Sequence, residues 1–97
     1  MNRDQAVSTL RIERERLRRE YGVKSLALFG SVARDESSAA SDVDLLVEFD
    51  RPTGLLGLFA LQEHLEQLLG CPVDLGTPAS LKPRVRQRVM SEIVYVN

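Results

Sequence analysis

The chain is 97 residues long, 43% hydrophobic and 28% charged, with 13 Lys plus Arg against 14 Asp plus Glu and a formal net charge of −1. That balance fits one soluble globular domain over residues 1–97 with a modest core, and it excludes a disordered polar tail. Near-neutrality argues against direct nucleic-acid binding, and no apolar run approaches the roughly 20 residues of a membrane span. A lone cysteine, Cys71, without zinc spacing or a signal peptide, makes the reducing cytoplasm the expected compartment.

In chain order, Asp4 reads as the N-cap of a first helix running to about Tyr21. Val7, Leu10, Leu17 and Tyr21 form its apolar stripe, and Gly22 is the stop. This segment is base-rich, with seven bases against four acids in residues 1–24. Val23–Phe29 reads as a strand, broken by Gly30-Ser31, after which Val32–Arg34 opens a short helix. A loop over 35–41 leads to a second strand, Val43–Phe49. Residues 35–50 hold six acids and no base, the pattern of a solvated face or of a cation site. Asp50–Gly54 is turn chemistry. Leu55–Leu69 is a long helix with Leu58, Leu61, Leu65 and Leu68 on one face, closed by Gly70. Val73–Gly76 is a short third strand. Ser80 or Thr77 is the candidate cap of a last helix with Pro83 in its first turn, running to about Ser91. Ile93–Val96 reads as a final edge strand. The order predicts a small mixed sheet of three to four strands packed with helices, in the α/β (α+β) class.

That topology gathers chemistry at one sheet edge. Asp42 and Asp44, two apart at the entry of the second strand, point to one face. The helical crossover from the second strand to the third makes that pair parallel, which brings Asp74 beside them. An antiparallel first strand delivers Gly30 and Ser31 to the same edge. Three close carboxylates repel one another, and at least one pKa rises unless a cation intervenes. A hard divalent ion such as Mg²⁺, held by carboxylates and substrate phosphates, relieves this. The Gly-Ser turn opens a helix whose first N–H groups suit a phosphate. Together these features describe phosphoryl or nucleotidyl transfer. A phosphatase of the Asp-x-Asp type is set aside, because here the apolar run Leu45–Val47 follows the acids.

Gly30-Ser31, ten residues, then Asp42-Val43-Asp44 resembles the signature of the polymerase-β-type nucleotidyltransferases. FGSVARDESSAASDVDLLVEF resembles more closely the minimal nucleotidyltransferases, the MNT proteins, which serve as antitoxins beside HEPN-domain toxins. The resemblance spans nearly the whole chain, through the third Asp to the basic LKPRVRQRV segment. It implies that Gly30 and Ser31 hold the phosphates of ATP or another nucleoside triphosphate. It also implies that Asp42 and Asp44 bind two Mg²⁺ ions, or Mn²⁺, and that Asp74 completes a metal site and helps deprotonate an acceptor hydroxyl. AMP would pass to a tyrosine of a HEPN-type partner.

Arg34, one turn after Ser31, is a candidate for the triphosphate or for a surface salt bridge. Ser41 reads as a turn or cap residue, His64 as a helix-surface histidine and Cys71 as a small buried apolar side chain. Arg84, Arg86 and Arg88 are either solvated or meet an acidic partner surface. The rival to catalysis is a catalytically idle antitoxin that neutralises its partner by contact alone. A small nucleic-acid-binding domain using the first and last helices is a third reading, opposed by the net charge.

Overall fold

A computed structural model describes residues 1–36 and 42–96. Helix α1 (Arg3–Ile12) is followed at once by α2 (Arg14–Tyr21). Strand β1 (Val23–Phe29), one-turn helix α3 (Gly30–Ala33) and strand β2 (Val43–Phe49) come next. Then follow α4 (Leu55–Leu69), β3 (Val73–Gly76), a 3₁₀ turn (Pro78–Ser80), α5 (Pro83–Glu92) and β4 (Val94–Tyr95). The sheet order is β3-β2-β1-β4. β1 is antiparallel to both β2 and β4, and β2 is parallel to β3 across the α4 crossover.

Strand alternation sorts the side chains into two layers. Leu26 and Leu28 of β1, with Val43, Leu45 and Val47 of β2, face the main core. They pack there with Ala6, Val7 and Leu10 of α1, Leu17 of α2, and Leu61, Leu65 and Leu69 of α4. Ala27 and Leu46 alternate with them and are buried on the other face, the side that Met90 and Ile93 approach. That second face also receives Asp44 and, in the neighbouring strand, Asp74. The acids therefore belong to the thinner layer, not to the main core.

Three local features differ from the sequence reading. The first helix starts from Asn2, not Asp4: the Asn2 side chain accepts the Gln5 N–H at 2.8 Å, and the Gln5 side chain accepts the Asn2 N–H at 3.1 Å. This reciprocal box satisfies two amide donors, whereas Asp4 sits in the first turn, where its charge suits the helix dipole. The helix is also split at Glu13, whose N–H bonds back three residues to the Leu10 carbonyl at 3.2 Å. No Gly or Pro marks that tightening in the sequence. Thr77 and Ser80 cap not the last helix but the 3₁₀ turn before it, Ser80 donating its hydroxyl to the Thr77 carbonyl at 2.7 Å. Helix α5 begins at Pro83 after Lys82, without a side-chain cap. The loop expected over 35–41, and Ser41 within it, lie from Ser37 onward outside the described residues.

The capping box gives a small, clean test. Asn2→Ala removes it and should cost about 1 kcal/mol, lowering Tm by about 4–8 °C for a domain of this size. An unchanged melt would show that the box contributes nothing to the fold.

Candidate active site

Register builds the site. Asp44 is paired with Phe29 of β1 on one side and with Asp74 of β3 on the other. Neighbouring strands lie about 4.8 Å apart, so the backbones carrying Gly30, Asp44 and Asp74 run side by side. Asp42 stands two residues before Asp44 and is exposed, as is Asp74, whereas Asp44 is partly buried.

The electrostatics follow from this crowding. The Asp44 carboxyl is pushed above the usual carboxylate range, first by burial and then by the like charges of Asp74 and Asp42. Arg34 opposes that shift, so its charge reaches Asp44. Its hydrogen bonds go elsewhere, however. Nε of Arg34 donates to Glu36 at 3.1 Å and Nη1 donates to Glu92 at 3.1 Å. Of the two roles open to Arg34 in the sequence, the surface salt bridge is the one seen, and it ties the segment after α3 to the last turn of α5.

Gly30 has a role that sequence spacing did not reveal. Its φ is +73°, in the left-handed region. A Cβ built there would run into the Asp44 carboxylate, whose Oδ2 it would overlap and whose Cγ it would meet at 3.1 Å. The glycine therefore leaves room for the acid as well as permitting the turn. Ser31 follows it, partly buried, at the start of α3. The signal that could have found this contact was the register, which places Phe29 opposite Asp44.

Among the described residues, no three His, Cys, Asp or Glu side chains are gathered as a ready-made metal cage. Asp44 and Asp74 in adjacent register nonetheless form a donor set suited to a hard cation that takes its remaining ligands from a phosphate. Mg²⁺ is commonly held by one or two carboxylates together with substrate oxygens. The repulsion recorded at Asp44 is what such an ion would neutralise.

His64 is not a simple surface residue. Its ring stacks on Tyr21 with centroids 5.0 Å apart, and Nε2 is buried without a hydrogen-bond partner. Cys71 is free and partly buried against the core. Neither is near the aspartates in the sheet register.

Residues 10–96 match the nucleotidyltransferase domain family. Protein adenylyltransferase MntA of Thermococcus cleftensis is 43% identical over 89 residues, covering 92% of this chain and 90% of that protein. A solved structure assigned as a minimal nucleotidyltransferase superposes with a TM-score of 0.76 at 39% identity, over 97% of this chain and 95% of that one. A complex of tri-AMPylated Shewanella oneidensis HEPN toxin with MNT antitoxin contains a chain that superposes with a TM-score of 0.67. It covers 94% of this chain and 71% of that one at 19% identity, a likeness of fold alone. Among the described residues no helix is long and apolar enough to cross a membrane.

Proposed function

The chain belongs to the nucleotidyltransferase domain family, and from that premise we propose that it transfers AMP from ATP to a tyrosine hydroxyl of a HEPN-type toxin, acting as its antitoxin. The observation that carries this reading is the in-register row of Gly30, Asp44 and Asp74, with Asp42 at its border. The adenylyltransferase relative supports the group transferred, and the AMPylated toxin complex supports the class of acceptor.

In the proposed reaction the acceptor oxygen attacks the α-phosphorus of ATP, the bond to the β-phosphate breaks, and pyrophosphate leaves. The hydroxyl proton passes to a carboxylate, for which Asp74 is assigned as the exposed acid on the edge strand. The Gly30-Ser31 turn lets the triphosphate approach the backbone closely, and the Ser31 hydroxyl is available as a donor to it. Asp42, Asp44 and Asp74 would hold Mg²⁺, two ions in the full reading, which supplies charge neutralisation of the phosphates. Arg34 adds positive potential at the site while Glu36 and Glu92 hold its guanidinium.

Mass spectrometry of a HEPN-type toxin incubated with the chain, ATP and Mg²⁺ tests the reaction. The toxin should gain one AMP or a small multiple, and no gain with either Mg²⁺ or Mn²⁺ would sink the reading. The metal has its own check. Calorimetric titration should find ATP bound at least ~10-fold tighter with Mg²⁺ than in chelator, since phosphate oxygens and protein carboxylates share the ion. Equal affinity in the two buffers would remove the metal from the proposal.

A further inference from the structure

We propose that the partner protein docks at the end of the sheet opposite the aspartates, in a cleft bordered by the apolar first turns of α4 and the basic stripe of α5. The proposal rests on the function above in taking that partner to be the HEPN-type acceptor.

Two hollows meet at this end. One, of about 590 Å³, lies among Phe49, Pro78 and Arg86, and the other, of about 380 Å³, among Phe49, Leu55 and Leu58. Both are lined by Phe49 and Thr77, so they form one continuous groove. Phe49 is the last residue of β2 and Asp44 is the second, which separates the groove from the acids by about 17 Å of strand.

The two walls differ in character. Residues 54–62 carry no charge, and there Leu55, Leu56 and Phe59 are 69%, 86% and 58% exposed. Clustered large apolar side chains left in water mark an interaction surface. On the other wall, Lys82, Arg84, Arg86 and Arg88 are exposed, and among the described residues none of them makes an ion pair. They crowd the start of α5, whose first turn has no acid. Cations at a helix N-terminus are repelled by the helix dipole, so the stripe lowers the stability of its own helix until an external anion meets it.

The occupant that matches both walls is a protein surface pairing apolar side chains with carboxylates. A nucleic acid would leave Leu55, Leu56 and Phe59 uncovered. A second copy of this chain joined through the same patch would set arginine against arginine, because the acid-only block 35–50 begins at the other end of the sheet. Docking away from the chemistry also leaves the acceptor hydroxyl free to approach Asp74 from a partner that spans the molecule's 32 × 30 × 20 Å extents.

Calorimetry of a HEPN-type toxin with the chain, in chelator and without ATP, isolates docking from transfer. Leu56→Asp with Phe59→Asp, and separately Arg84→Glu with Arg88→Glu, should each raise Kd by ~10-fold or more, while Asp44→Asn should bind as the wild type. These side chains are exposed, and circular dichroism should show the fold retained. Wild-type affinity in both double variants would overturn the docking surface. Binding lost in both, with no AMP transferred by the wild type, would keep the surface and remove the reaction. A wild-type dimer in sedimentation that Leu56→Asp with Phe59→Asp dissolves would reassign the groove to self-association and overturn the proposal. Capture of a single-stranded RNA oligonucleotide that only Arg84→Glu with Arg88→Glu releases would overturn it as well.

Discussion

Asp44→Asn should reduce AMP transfer by about 10²–10³-fold, the range for removing one group that organises charge at a reacting centre, without unfolding the protein. Its stability should move the other way. In the folded state the Asp44 carboxyl is held above its ordinary range by burial and then by Asp74 and Asp42. The folded chain therefore keeps a proton at pH values where the unfolded chain has lost it. Stability from this group falls as pH rises from the unfolded value, near 4, through the raised folded value, and the penalty is complete above that. In chelator at pH 7, Asp44→Asn should melt up to a few degrees higher than the wild type, given that ~1 kcal/mol moves a domain of this size by about 4–8 °C. The difference should shrink on acidification and vanish below about pH 4. A variant that melts lower at pH 7, or keeps full transfer, would show that Asp44 supports the fold and not the chemistry.

Gly30→Ala should damage both. The left-handed backbone costs a non-glycine residue about 1–2 kcal/mol, and the new methyl would strike the Asp44 carboxylate. The chain should lose on the order of 10 °C in Tm and about 10²-fold in transfer, since a misplacement of about 1 Å at a reacting group has that effect. Gly70→Ala is the control. Its φ is +69°, but a Cβ there meets nothing within 4 Å. It should lower Tm through the same backbone strain and leave transfer intact. Equal transfer by the two variants would mean that the contact between Gly30 and Asp44 has no part in the reaction.

The contrast between these glycines shows where sequence reasoning stops. The limits of β1, β2, β3 and α4 were legible because apolar runs of fixed period are bounded there by Gly, Pro and Asp. The convergence of Gly30, Asp44 and Asp74 followed from topology, since a helical crossover makes strands parallel. Finer features depend on contacts that no local pattern encodes. Asn2 outcompeted Asp4 as a cap because Gln5 could return the hydrogen bond. Glu13 interrupts a helix with no breaker nearby. The choice of Glu36 and Glu92 by Arg34 needed α5 to be packed against the segment after α3, and the burial of His64 needed Tyr21 above it. The clearance between Gly30 and Asp44 needed the register of two strands to within one residue.

The strand order β3-β2-β1-β4 also governs the history of the chain as it is made. β1 is the first strand to leave the ribosome, yet one of its edges is closed only by Val94 and Tyr95, with the Val96 N–H donating to the Leu26 carbonyl at 2.8 Å. Throughout synthesis of β2, α4, β3 and α5, that edge of Leu26–Leu28 presents free amides and carbonyls beside an apolar core. Such an edge is a template for another nascent strand. Crowded translation of this message, or premature release before codon 94, is therefore the condition under which copies would pair with each other instead of with their own last strand.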